Sequence, residues 1–255
     1  MLAASSRVGK VTKVADCSAA FVAPYLGELV VEAQGPISIT KDQAVKLSQI
    51  YFDVVHIQYP FLHYPMFLRA LRRFFEEDAQ NHVVGFQTYM VLAISATIAS
   101  RLHKIPLPGE RYYMAAMRHF EKMQMDSSIQ GLQCVLLLLV FAMYSPTIRL
   151  DVWSLNYQCL ASVLDLGLQR AVTTSSGISQ LQQEMRTRIF WVVYTLDRTI
   201  ATMMGRPIGL RDEACDLRVG IANTSGPQYS RLTSDRCRWT CLTLKLKARQ
   251  SQAQV

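Results

Sequence analysis

The stretch RTRIFWVVYTLDRTIATMMGRP, residues 186–207, decides how the chain is to be read. Wound at about 100° per residue, Met185, Ile189, Phe190, Val192, Val193, Tyr194, Leu196, Ile200, Met203 and Met204 fill a broad apolar arc. An element apolar over so much of its girth needs several packing neighbours, which predicts a core helix in a multi-helix protein. Thr187, Arg188, Thr195, Arg198, Thr199 and Thr202 make up the opposite strip and are expected to face water or a thin protein layer. Gly205 is the usual residue just past a helix end, and Pro207 forbids continuation. Asp197 falls inside the apolar arc. An unpaired carboxylate there is costly, so it must be paired or tipped into a wet crevice. The nearest basic residues in sequence are Arg206, just after the helix, and Arg186, about three turns away on the same arc. The expected role of Asp197 is structural: it ties the long helix to the Gly-Arg-Pro turn or to a neighbouring element.

Upstream, helical order starts abruptly at TKDQAVKLSQIYFDVV, where Thr40 and Gln43 form a capping-box pattern and Leu47, Ile50, Tyr51, Val54 and Val55 repeat at helical spacing. Pro60 and Pro65 break the following HIQYPFLHYP, the second placed as a first helical residue. Phe67, Leu68, Leu71, Phe74 and Phe75 then share one side of a helix closed by Glu76, Glu77 and Asp78. Four more helices are predicted over about 81–104, 109–125, 128–144 and 150–169. In the last, Trp153, Tyr157, Leu160, Leu164 and Leu168 are expected to cover the core. Strand signals are nearly absent, so the fold class is all-α, with antiparallel helix pairs in one multi-helix domain.

Half of the 255 residues are hydrophobic, enough for a sizeable core. The net charge of +8 invites a nucleic-acid reading, but +5 of it falls in residues 221–255 and the body is nearly balanced. Cys17, Cys134, Cys159, Cys215, Cys237 and Cys241 are scattered without C-x-x-C pairs, the pattern of a reduced intracellular chain with no zinc site of its own. No signal-peptide core follows the N-terminus. The apolar runs at 83–100 and 135–144 are interrupted by polar residues or too short to span, so both read as buried core helices and no membrane is expected.

No catalytic constellation is present: neither G-x-S-x-G, nor H-E-x-x-H, nor a phosphate-cradling or dinucleotide glycine motif, nor clustered aspartates for magnesium. The chain reads as no enzyme, with no catalytic, cofactor-binding or metal-ligating residue. His56 and His63 flank the aromatic-proline link and are expected to cap or hydrogen-bond there, since no third ligand shares the segment. His82, His103 and His119 stand singly beside helix ends or on a charged face. Met114, Met117, Met123, Met125, Met203 and Met204 read mainly as core filler, with a pliable cavity for small apolar molecules as the alternative.

Three segments in order carry a resemblance. YFDVVHIQYPFLHYPMFLRAL (51–71), CLASVLDLGLQRA (159–171) and RTRIFWVVYTLDRTIATMMGRPIGLRDEACDLRV (186–219) resemble the signatures of the regulatory, or middle homology, region of fungal zinc-cluster transcription factors. Pro60, Phe61 and Pro65 fall on that family's opening motif, and Asp197, Arg198, Gly205, Arg206 and Pro207 on its helix-end motif. The resemblance implies an all-α nuclear regulatory domain, placed over 40–219; residues 1–39, without a sustained helical pattern, read as a lead-in segment, and 220–255 as a basic, disordered tail. It implies contact with transcription machinery or co-regulators and a small-molecule effector. Zinc and DNA are implied only through the family's six-cysteine module, which this sequence lacks. The basic, weakly patterned end from Arg218 onward departs from the family's acidic, proline-containing continuation, which points to a truncated product or an altered gene model. Two other classes compete with regulation: a stand-alone helical small-molecule binder or enzyme, and non-specific nucleic-acid binding through the +5 tail.

Overall fold

The structure, a computed structural model, describes residues 39–76, 81–104, 107–123, 127–145, 148–170 and 177–215. The expectations for the tail and for nearly all of the lead-in fall on residues outside this set. Among the described residues there are seven α-helices and no strand, the all-α fold that the periodicity predicts. They gather into two units, one reaching to Val54 and resuming at Leu68–Lys122, the other formed by Val55–Phe67 and the chain from Met123 onward.

In the first unit, α1 (Lys41–Ile50) begins at the predicted capping box. Thr40 Oγ1 accepts from the Gln43 backbone N–H at 3.3 Å, and Gln43 Oε1 accepts from the Thr40 N–H at 2.8 Å. Ala44, Leu47, Ser48 and Ile50 form its buried face. The helix widens into one π turn, Tyr51–Val55, and helical order stops before Pro60, which has no N–H to offer a preceding carbonyl. Next comes α2 (Tyr64–Glu76), in which Pro65 is the second residue and not the first. Both positions lie in the first turn, whose N–H groups have no intrahelical acceptor, so the proline is tolerated equally well.

The apolar run at 83–100 lies in α3 (His82–His103), capped by the Asn81 side chain, which accepts from the Val84 N–H. The helix is long and apolar enough to cross a membrane by length and composition, yet 67% of that window is buried inside the protein. It packs against α1 and against α4 (Gly109–Phe120), which runs back along it. Glycines permit the close approach at both ends of this pair. A Cβ on Gly109 would lie 2.6 Å from Thr97 Oγ1, and one on Gly85 would lie 2.5 Å from the His119 ring.

In the second unit, α5 (Ile129–Tyr144) starts at Ser128, whose hydroxyl accepts from the Gly131 N–H, and is buried along nearly all of its length. It packs against α6 (Val152–Asp165) and α7 (Gln180–Met204), which also pack against each other. Helix α6 ends four residues before the predicted 169 because Gly167 turns left-handed at φ +60° and the Leu168 N–H reaches back to the Val163 carbonyl at 2.9 Å.

Two orientation expectations are corrected. On α6 the buried face is Asn156, Cys159, Leu160 and Val163, while Tyr157 and Leu164 are exposed. The face is turned because a polar residue, Asn156, is drawn inward to a partner on α7. Met114, Met203 and Met204 are exposed where core filling was expected. The two on α7 lie in its last turn, beyond the stretch that its neighbours cover.

Candidate functional site

Asp197 lies in the centre of the second unit, wholly buried, on a helix with thirty-odd ångströms of run, about 37 Å at 1.5 Å per residue. Its position depends on how α7 ends. Gly205 takes φ +62°, and the N–H of Arg206 closes on the Ala201 carbonyl at 2.9 Å. A left-handed residue there turns the chain back along the helix, which a β-carbon would resist. The returning segment brings two consecutive backbone N–H groups to Asp197. Gly209 N–H donates to Oδ2 at 3.0 Å, with Oδ1 at 3.2 Å, and Leu210 N–H donates to Oδ2 at 3.2 Å. From α6 the Asn156 Nδ2 donates to Oδ1 at 3.0 Å. The carboxylate therefore joins helix, return segment and neighbouring helix in one clasp, and these charge-assisted bonds offset the loss of water.

Space at the clasp is as tight as its hydrogen bonding. A Cβ on Gly209 would meet Leu160 Cδ1 at 2.4 Å and Asp197 Oδ1 at 3.3 Å. Only a glycine lets the backbone approach α6 and the carboxylate together. Asn156 Oδ1 is buried without a hydrogen-bond partner, so this amide is fixed by its donor end alone.

Arg198, the next residue, extends the clasp. Its Nη2 donates to the Leu210 carbonyl at 2.9 Å and to Asp212 Oδ1 at 2.7 Å, and its Nη1 lies 3.6 Å from Asp197 Oδ2. The guanidinium carbon sits 3.3 Å from the centre of the Tyr194 ring, whose hydroxyl donates to Asp212 Oδ1 at 2.6 Å. Burial first, and then the bond to Asp212, pushes the Tyr194 hydroxyl up to about 12. Of the strip expected to face water or a thin protein layer, Thr195 and Arg198 are both buried. The return segment is the layer over Arg198, because the Asp212 carboxylate and the Leu210 carbonyl both accept from its fork.

The remaining motif residues are placed separately. Arg206 does not reach Asp197; its guanidinium lies 4.7 Å from the Trp153 ring. Arg186 instead donates to the Leu166 carbonyl at 2.8 Å, beside the end of α6. Pro207 is exposed, in keeping with a residue that only ends a helix. Pro60 and Phe61 are buried in the opening link, and the Phe61 carbonyl accepts from Gln133 Nε2 of α5 at 2.7 Å; Pro65 is exposed. His56 is buried, and its imidazole is lowered to about 4 by desolvation, then by Arg188 and His63. Sequence reasoning missed Asn156, Gly209, Leu210 and Asp212. The only local signal was that Asp197 needed partners.

Among the described residues no group of three or more histidine, cysteine, aspartate or glutamate side chains is placed to hold a metal. The described cysteines, Cys134, Cys159 and Cys215, form no disulfide, and burial raises the Cys159 thiol far above its usual range. These residues do not fit the zinc-cluster module implied by the resemblance.

An all-α fold whose central carboxylate is taken up by the protein's own backbone and an amide defines a helical domain with an architectural polar centre. The chain belongs to the family described as the fungal specific transcription factor domain, whose profile matches residues 48–219. It is 27% identical over 206 residues to the negative regulator of pleiotropic drug resistance STB5 of Candida glabrata, covering 74% of this chain and 20% of that protein. It is 25% identical over 188 residues to protein STB5 of Saccharomyces cerevisiae, covering 69% and 25%. An ABC-transporter-regulating transcription factor of Aspergillus fumigatus is 24% identical over 193 residues, covering 73% and 21%. The chain thus spans a quarter or less of the length of these relatives. No solved structure matches it.

Proposed function

We propose that this chain is the helical regulatory region of a fungal transcription regulator, working in the nucleus through packing and contact with transcription machinery or co-regulators. It makes and breaks no covalent bonds. DNA is reached through a separate zinc-cluster module, and a small apolar molecule shifts the conformation of the helices. The observation that carries this reading is the family match over 48–219, which contains the whole Asp197 clasp. The use of that carboxylate for architecture supports it. Two relatives, a negative regulator of pleiotropic drug resistance and an ABC-transporter-regulating transcription factor, make apolar drug-like molecules the first effectors to assay.

The test is a tethering assay. The chain is fused to an unrelated DNA-binding module in a fungal reporter strain, and reporter output is compared with that of the module alone. A severalfold change, up or down, that is lost in Asp197→Asn supports the reading. A stable, nuclear fusion that leaves output unchanged overturns it.

A further inference from the structure

Outside the clasp, the fold brings together two histidines that stand 37 positions apart in sequence. His82 is the first residue of α3 and His119 lies next to the last residue of α4, and the packing of the two helices sets their Nδ1 atoms 3.4 Å apart. The separation has a chemical meaning. Two imidazole nitrogens bound to one tetrahedral zinc at 2.0–2.1 Å lie about 3.3–3.4 Å from each other.

The pair is held firmly. The His119 ring stacks on Tyr89 with centroids 5.7 Å apart and meets the edge of Phe74 at 5.7 Å. A Cβ on Gly85 would lie 2.5 Å from His119 Nδ1 and 2.6 Å from its Cε1, so the imidazole packs directly onto the backbone of α3 and only a glycine admits it there.

We propose that His82 and His119 form a two-imidazole site for a divalent cation of tetrahedral preference, zinc above all, bridging the start of α3 and the end of α4. In the metal-free pair one imidazole donates its Nδ1–H to the other. On binding, that donor becomes the Nε2–H tautomer, both Nδ1 lone pairs meet the metal, and no net proton is released above the imidazole range. Water fills the other two positions. Lys122 weighs against the cation, so binding is weak beside that of four-ligand structural sites.

The test uses the full 255-residue chain. Zn2+ is titrated calorimetrically, and Co2+ is titrated for the visible absorption of a four-coordinate centre. One saturable equivalent is expected, weakened about tenfold or more in both His82→Gln and His119→Gln, and lost as pH falls through the imidazole range. No saturable binding, or binding that neither variant weakens, overturns the proposal and leaves the pair a hydrogen bond only. Should His119→Gln fail to fold, His82→Gln at the helix start decides the matter alone.

Discussion

Gly209 gives its backbone N–H to Asp197 at 3.0 Å across twelve positions of sequence, and the same glycine leaves no room for a methyl group between that carboxylate and Leu160. One residue therefore serves both the hydrogen bonding and the packing of the clasp. The long helix, its return segment and α6 are held at a single point.

Asp197→Asn removes the charge and sets an amide donor against N–H donors of Gly209 and Leu210. Bonds to a charged acceptor contribute about 1.5–3 kcal/mol each, so a loss of about 2–4 kcal/mol in urea unfolding is expected. Pairing it with Asn156→Ala in a double-mutant cycle should give a coupling of about 1 kcal/mol. An unchanged unfolding midpoint for Asp197→Asn would remove the clasp from the account.

Gly209→Ala tests the packing separately. Its methyl collides with the tip of a flexible but buried leucine at 2.4 Å and crowds the carboxylate at 3.3 Å. The leucine tip can yield in part, which sets the expected cost at about 1–3 kcal/mol. Thermal unfolding reads it. Gly205→Ala, at φ +62° with open space around it, should cost about 1 kcal/mol from backbone strain alone.

The difference between these glycines marks what could be read from the residues alone. Helix starts and stops were legible because caps are local: Thr40 with Gln43, and Gly205 after Met204, carry their signals within a few positions. That Asp197 needed partners was legible from its apolar surroundings. Which partners was not, because two are backbone N–H groups, alike in every residue type, and the third is an amide 41 positions upstream. The same ignorance turned α6 the wrong way. A hydrophobic pattern places Tyr157 and Leu164 inward, and only the pull on Asn156 explains why they are exposed. His82 and His119 were unremarkable singly, since their meeting depends on how α4 folds back along α3.

Arg198→Lys keeps the charge and loses the fork. A single ammonium cannot reach the Leu210 carbonyl and Asp212 in the geometry of Nη2 while also lying flat on Tyr194. A loss of about 1–3 kcal/mol is expected, leaving a buried carbonyl or the carboxylate poorly met. Tyr194→Phe, which removes the hydroxyl and with it the 2.6 Å bond to Asp212, should cost about 1 kcal/mol. If both variants unfold at the wild-type midpoint, the return segment is held by something other than this network.

Acid should loosen the second unit through His56. The imidazole titrates at about 4 in the fold against 6.5 when free, because burial, and then Arg188 and His63, disfavour its proton. Between those values the unfolded chain binds more protons than the folded one. Stability is therefore complete above the free value and lost as pH falls from 6.5 towards 4, by on the order of 2–3 kcal/mol. His119 is lowered by its own burial and adds to the same slope, while the raised Asp53 opposes it in the carboxylate range. Unfolding free energies measured from pH 7.5 down to about pH 5 should fall for the wild-type chain and fall less steeply for His56→Gln, whose amide carries no titrating proton. Parallel slopes for the two proteins would mean that His56 already meets acid in a solvated place, and that its burial contributes nothing to the response.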